Sequence, residues 1–394
     1  MSAGDSKRPL HPETLAIRAQ APTTAEREHS VPVYLTSSFV FDSTEQARAL
    51  FADEIPGNIY SRYSNPNTDE FVKKLCLLEG AEDGIATASG MAAVFAALAP
   101  LLSSGDHVIA ARALFGSTHQ LFTKIFPRWG ITSTYVDAVA QPDEWERALR
   151  PETKVLFAET PSNPGLELVD LAMLGALCAR KNITLIVDNC FTTPVLQQPV
   201  RFGAGLIVHS ATKFIDGQGR TLGGAVLGTS ALIKEVRYFA RHTGPSLSPF
   251  NAWVLSKSLE TLSLRMERHC ANALAMARHF EGHARVERVR YPFLESHPQH
   301  ELARRQMSAG GGIVVLVLRD AEQARRFIDK LELISHSPNL GDTRTIVTHP
   351  TSTTHSKLTE AERQQVGIVP GMVRLSIGLE HIDDLIDDIE QALG

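Results

Sequence analysis

The sequence predicts an α/β protein with a mostly parallel sheet in a large domain, followed by a smaller C-terminal α/β domain. Two observations carry this. Between residues 84 and 228, short apolar runs of strand length alternate with stretches of helical periodicity. That is the pattern of a parallel sheet whose two faces are covered by crossover helices. Beyond about residue 250 a long helical stretch with few breakers interrupts the rhythm, and a second, shorter alternation follows. At 394 residues, roughly two to three domains of about 150 residues are expected.

The elements follow in order. Residues 1–60 read as an arm: Pro9, Pro12, Pro22 and Pro32 break up its start, and Asp42 or Ser43 can cap one short helix through Ala52. A loop, Tyr60-Ser-Arg62-Tyr-Ser-Asn-Pro, closes the arm with an Asn-Pro turn signal. Phe71, Leu75 and Leu78 then share one helical face, and Gly80 ends that helix. Strand-like runs follow at 84–89, 107–111, 133–137, 154–160, 184–189, 206–212 and 223–228, with helical patterns at 91–102, 142–149 and 171–181 filling most of the gaps. This is the large domain, residues 61–250. In the C-terminal domain, residues 251–394, a helix is expected over 252–281. Strands are expected at 286–290, 312–319, 345–349 and 373–379, and helices at 321–331 and 382–393.

Composition removes several functions. Hydrophobic residues make up 43% and charged residues 21% of the chain, which is ordinary for a globular protein. A net charge of −5 lacks the overall basic footprint of a nucleic-acid binder. No apolar run approaches the ~20 residues of a membrane span, and the polar first fourteen residues lack the apolar run of a secretory signal. The four cysteines are widely spread and form no metal-ligand cluster, so no metal is expected and the cytoplasm is the expected compartment. There is no GxxxxGK[ST] phosphate loop and no HExxH helix. The 217–223 glycine run has one residue too many for GxGxxG, and Ser89 stands in Thr-Ala-Ser-Gly rather than GxSxG.

Chemistry is sought at strand ends, because ligands of such sheets bind at their carboxyl edge. The apolar strand before Asp188 ends in an acid, and the next ends in Ser210-Ala-Thr212-Lys213. A lone acid there serves equally well as a cap, and a lone lysine is usually a surface charge. Together they meet the needs of one cofactor. Pyridoxal phosphate takes a lysine for its Schiff base and an acid to keep its ring nitrogen protonated, so that the ring can absorb a carbanion's electrons. Its phosphate needs donors. The N–H groups of Gly90 and Met91, at the start of a helix, and the hydroxyls of Ser210 and Thr212 can supply them.

These segments resemble a family. The arm loop from Tyr60 to Pro66, Ala88-Ser-Gly90-Met91, Glu159-Thr-Pro-Ser-Asn163-Pro, Val187-Asp188-Asn189, Ser210-Ala-Thr212-Lys213 and Val373-Arg374-Leu-Ser are similar to the motifs of the trans-sulfuration pyridoxal-phosphate enzymes, in family order from about residue 11 to the C-terminus. The resemblance implies fold type I and specific roles. Lys213 carries the cofactor and catalyses. Asp188 pairs with the ring nitrogen, and Gly90, Met91, Ser210 and Thr212 bind the phosphate. Phe115 stacks on the ring, Asn163 meets its phenolic oxygen, and Arg374 clamps the substrate carboxylate. Tyr60 and Arg62 reach the phosphate of a neighbouring subunit, which implies a homo-oligomer, a tetramer built as a dimer of dimers.

Within the family, lyases acting on methionine usually have Tyr where Phe115 stands and a Cys near Ser117. Cystathionine γ-synthases tend to have Arg where Gln120 falls. The run Asn339-Leu-Gly-Asp342-Thr-Arg344 is similar to that of enzymes using sulfide directly. The implied reaction is γ-replacement on O-succinylhomoserine with sulfide, giving homocysteine and succinate. Cystathionine γ-synthase, O-acetylhomoserine sulfhydrylase and methionine γ-lyase activities are the alternatives. Arg344 is a candidate for the succinyl carboxylate, or else an ion-pair partner for Asp342.

Overall fold

The computed structural model describes residues 10–354, 356 and 359–394; the first nine residues of the expected arm, Pro9 among them, lie outside these. The large domain is built on seven strands: β1 (Asp83–Thr87), β2 (His107–Ala111), β3 (Thr132–Val136), β4 (Thr153–Glu159), β5 (Thr184–Asp188), β6 (Leu206–His209) and β7 (Gly224–Gly228). Their spatial order is β1-β7-β6-β5-β4-β2-β3. All run the same way except β7, which is antiparallel to both neighbours. A return in the same direction needs a crossover, usually a helix. The expected 206–212 strand instead stops at His209, and the chain turns on itself through Lys213 before reversing into β7.

Both faces of this sheet are covered. Val226 packs into one hydrophobic cluster while its neighbours Ala225 and Leu227 pack into another, the period-two alternation of a strand buried on both sides. The Gly90–Leu98 helix continues into a 3-10 turn at Ala99–Leu101, where Pro100 removes an intrahelical donor. The Pro66–Glu79 helix ends at Gly80 with φ 78°, a left-handed C-cap that glycine adopts without steric cost.

The second sheet comprises β8 (Arg288–Arg290), β9 (Ile313–Val317), β10 (Ser335–His336), β11 (Ile346–Thr348) and β12 (Met372–Ser376), in the order β10-β11-β12-β9-β8. Val314 and Leu316 face the C-terminal helices, whereas Ile313, Val315 and Val317 join the cluster shared with the large domain. One continuous core therefore joins the two domains. Arg374 pairs in register with Val315, which sends its side chain to the face turned toward the large domain.

Two expectations about helices are corrected. The 252–281 stretch is two helices, Pro249–Leu259 and Leu262–Phe280. At the break, Arg265 donates to the Ser258 carbonyl at 2.9 Å and to Thr261 Oγ1 at 3.3 Å, so the carbonyl left over by the interruption is satisfied. The arm holds a second short helix, Pro12–Arg18: proline is tolerated at a first helical position, where its missing N–H costs nothing. The expected arm helix is Thr44–Phe51, capped by Ser43, whose Oγ accepts from the Gln46 N–H at 3.1 Å. Among the described residues, no helix is long and apolar enough to cross a membrane.

Candidate active site

At the carboxyl edge of the large sheet, β5 delivers Asp188 and the turn after β6 delivers Lys213. Lys213 Nζ donates to Asn339 Oδ1 at 2.5 Å. Burial pushes its ammonium below the usual lysine range, and the charge of Arg374 adds to that. An amine depressed in this way is readier to act as nucleophile or base.

Arg374 is fully inside. Its Nη1 donates to Asn163 Oδ1 at 2.9 Å, and its Nη2 to the carbonyls of Asn339 (3.0 Å) and Pro338 (3.2 Å). Burial pushes the guanidinium down to about 10. Its Nε is buried with no protein partner. Lys213, Asn339, Arg374 and Asn163 thus form one chain of hydrogen bonds across the gap between the domains. The loop carrying Asn339 lies hard against the lysine turn: a Cβ on Gly341 would fall 2.5 Å from the Phe214 nitrogen and 2.9 Å from the Lys213 carbonyl carbon, and Gly341 has φ 78°. Only glycine fits there on both counts.

Asp188 Oδ1 accepts the Cys190 N–H at 3.0 Å. Burial pushes its carboxyl up to about 6, opposed by that N–H and by the nearby His209. Cys190 lies among these groups, with Sγ 3.7 Å from the Ser210 carbonyl, and burial pushes its thiol far up. It is a small, half-buried side chain with a raised thiol rather than a nucleophile.

The Gly90–Leu98 helix points its N-terminus at the lysine turn. A Cβ on Gly90 would fall 2.5 Å from Ser210 Cβ, so the glycine lets the helix end approach Ser210 closely. Ser89 caps the third helical N–H, that of Ala92, at 3.1 Å, which leaves the N–H groups of Gly90 and Met91 directed outward with the positive end of the helix dipole. The Thr212 hydroxyl exchanges hydrogen bonds with Gly223, at 3.1 and 3.3 Å. Phe115, 39% exposed, opens the Gly116–Gln120 helix.

Two of the candidate residues sit elsewhere in the single chain. Tyr60 and Arg62 are exposed on the arm. Arg62 lies over the rings of Tyr60 and Tyr63 and donates to the Arg241 carbonyl; its recorded partners are not those of the lysine crevice. Arg344 is 66% exposed along its side chain and grips both carboxylate oxygens of Asp342 at 2.9 Å, with a further bond to the Gln218 carbonyl at 3.1 Å. This is the ion-pair alternative for that residue.

Reading the sequence did not single out Asn339 or Glu159. Asn339 stood inside a recognised run with no role assigned to it. Glu159 ends β4 directly beside Asp188 in register and accepts the Phe115 N–H at 2.7 Å. An apolar strand ending in an acid was the signal used for Asp188, and it applies equally to Glu159.

The donor set fits pyridoxal phosphate. A depressed lysine follows the strand adjacent to the one that ends in a partly buried acid, and a helix N-terminus tightly packed on Ser210 suits a phosphate. A buried guanidinium with one orphaned N–H remains for a substrate carboxylate. Among the described residues, no cluster of His, Cys, Asp or Glu could hold a metal ion.

Comparisons with known proteins agree. Residues 13–394 match the family described as Cys/Met metabolism PLP-dependent enzyme. The chain is 49% identical over 382 residues to an O-succinylhomoserine sulfhydrylase of Pseudomonas aeruginosa, covering 97% of this chain and 94% of that one. It is 41% identical over 368 residues to an L-methionine gamma-lyase of Fusobacterium nucleatum, covering 92% and 93%. A solved structure from Campylobacter jejuni, described as an O-acetylhomoserine (thiol)-lyase carrying a pyridoxyl-lysine monophosphate, superposes with a TM-score of 0.94 at 36% identity, covering 98% of this chain and 100% of that one.

Proposed function

The chain belongs to the Cys/Met metabolism family of PLP-dependent enzymes, and from that membership we propose that it catalyses γ-replacement on O-succinylhomoserine with sulfide, giving homocysteine and succinate. The observation that carries the chemistry is the hydrogen-bonded chain from Lys213 through Asn339 to Arg374 and Asn163, set against Asp188 at the adjacent strand end. The similarity to sulfhydrylases supports the choice of substrate.

When bound, pyridoxal phosphate supplies the electron sink that lets bonds at the substrate's Cα and Cβ break heterolytically. Lys213 would hold it covalently, and Lys213 Nζ, when free, would take the Cα proton and later return one, so a single amine would serve as nucleophile, base and acid. Asp188 keeps the ring nitrogen protonated. Arg374 holds the substrate carboxylate through its unpartnered Nε–H and its buried positive charge, while its other N–H groups stay on Asn163, Pro338 and Asn339. Gly90, Met91, Ser210 and Thr212 hold the phosphate, Phe115 covers the ring face and Asn163 meets its edge. Phe115 has no hydroxyl, so it contributes stacking and no proton transfer. Succinate leaves Cγ and sulfide takes its place.

The chain works as a homo-oligomer, a dimer of dimers, in which Tyr60 and Arg62 reach the phosphate site of the next subunit. In support, the arm exposes Leu35 (70%), Val40 (97%) and Phe51 (63%), apolar surface suited to a subunit contact. It acts in the cytoplasm, in keeping with its four free cysteines.

The test is product analysis with O-succinylhomoserine and with O-acetylhomoserine, each with sulfide or cysteine as acceptor. Homocysteine from the succinyl ester and sulfide should be the fastest product. Cystathionine formed far more efficiently would assign the chain to γ-synthase chemistry instead.

A further inference from the structure

Glu159 sits at the centre of the candidate site without a part in the chemistry above. It is 5% exposed. Its Oε2 accepts the Phe115 N–H at 2.7 Å. It therefore anchors the backbone of Phe115, in the loop after β2, to the end of β4. On its other side it lies in register with Asp188 on β5. Burial, and then the neighbouring Asp188, push its carboxyl well above the ordinary carboxylate range, against the opposing pull of the Phe115 N–H. Two acids set close together on adjacent strands do not both ionise readily; one keeps its proton.

We propose that Glu159 is a positioning residue of the cofactor site: it fixes Phe115 over the ring, and it leaves the negative charge of the acid pair to Asp188. The division of labour follows from the partners. The charge is needed where the ring nitrogen must stay protonated. Glu159 accepts from a backbone donor, the Phe115 N–H, and a neutral carboxyl oxygen accepts from it as well. This inference rests on the reading that the crevice holds pyridoxal phosphate.

The experiment compares Glu159→Gln with Glu159→Ala in the full-length protein. Glutamine has the shape of a protonated glutamate and keeps the accepting oxygen, whereas alanine removes it. Three quantities are read: the dissociation constant for pyridoxal phosphate, the circular dichroism induced in its visible band, and the melting temperature of the cofactor-free protein. Glu159→Gln should hold the cofactor within about threefold of the unmodified protein, with the same induced signal. Glu159→Ala should bind about tenfold more weakly, equivalent to about 1.4 kcal/mol, with a reduced induced signal because the ring loses its fixed orientation. If both variants match the unmodified protein, Glu159 has no positioning role. If glutamine is as damaging as alanine, the carboxylate charge is needed and the proposal is overturned. Should the alanine variant fail to fold, the glutamine variant decides alone: cofactor affinity within about threefold of the unmodified protein with the same induced signal supports the proposal, and a loss of about tenfold or more overturns it. Failure of the unmodified protein itself to bind pyridoxal phosphate would instead overturn the functional reading, a result separate from any difference between variants.

Discussion

Replacing Arg374 with alanine probes the substrate end of the site, and the structure sets the size of the effect. The guanidinium is buried, so solvent does not screen it, and its Nε has no protein partner. A substrate carboxylate held by Nε makes one charge-assisted hydrogen bond, worth on the order of 1.5–3 kcal/mol. That is about one to two powers of ten in kcat/KM at ~1.4 kcal/mol per tenfold. Most of it should fall on KM, since the carboxylate is bound throughout the reaction. Arg374→Ala also strips the carbonyls of Pro338 and Asn339 and the amide of Asn163 of a donor, so its melting temperature should fall as well. Arg374→Lys separates the two effects: it keeps a charge but loses the planar fork, and about one power of ten should be lost. The assay is steady-state kinetics on O-succinylhomoserine with sulfide, alongside thermal melts. A KM for Arg374→Ala within threefold of the unmodified enzyme would refute the carboxylate assignment.

Three further outcomes are expected. Gly90→Ala should weaken pyridoxal phosphate binding by at least about fivefold, because its Cβ would meet Ser210 Cβ at 2.5 Å and overpacking of that kind costs about 1–3 kcal/mol; equilibrium dialysis reads this, and unchanged affinity would contradict it. Asp388 accepts the N–H groups of Glu332, Leu333 and Ile334 at 2.8, 3.1 and 2.9 Å, and these, working against burial, hold its carboxyl below the ordinary range. Its contribution is therefore complete above the unfolded value of about 3.9 and is lost as pH falls through the lower folded value. Urea melts of Asp388→Asn should show a loss of about 2 kcal/mol near neutral pH that shrinks in acid; a constant gap would contradict the assignment. Mixed oligomers of Arg62→Ala and Lys213→Ala chains should regain activity in hybrid sites; no recovery on mixing, with exchange of subunits demonstrated, would argue against an arm shared between subunits.

Much of this architecture is legible because it depends on local pattern. Apolar runs such as Leu185–Val187, bounded by polar residues, announce strands, and the residues that end them fall at the ligand edge without any knowledge of tertiary contacts. Lys213 and Asp188 could be paired for that reason. What escaped depends on contacts distant in sequence. The reversal of β7 follows from the turn that displays Lys213, and nothing in the apolar run of β7 specifies its direction. The break at Thr261 is sustained by Arg265, which reaches back to Ser258. Asn339 gains significance only when its loop folds against a lysine 126 positions earlier. Glu159 ends a strand as Asp188 does, but its meaning comes from an N–H 44 positions away. Arg344 carried two readings in the sequence, and its bidentate hold on Asp342 is a short-range contact that only coordinates can weigh.

The most direct test of the site is where the cofactor is attached. Reduction of the purified, cofactor-loaded protein with borohydride should fix pyridoxal phosphate covalently, and peptide mapping should place the label on Lys213, with none recovered from the Lys213→Ala variant. A label on any other lysine, or undiminished labelling and turnover in that variant, would contradict the assignment of the crevice between Asp188 and Arg374 as the catalytic centre.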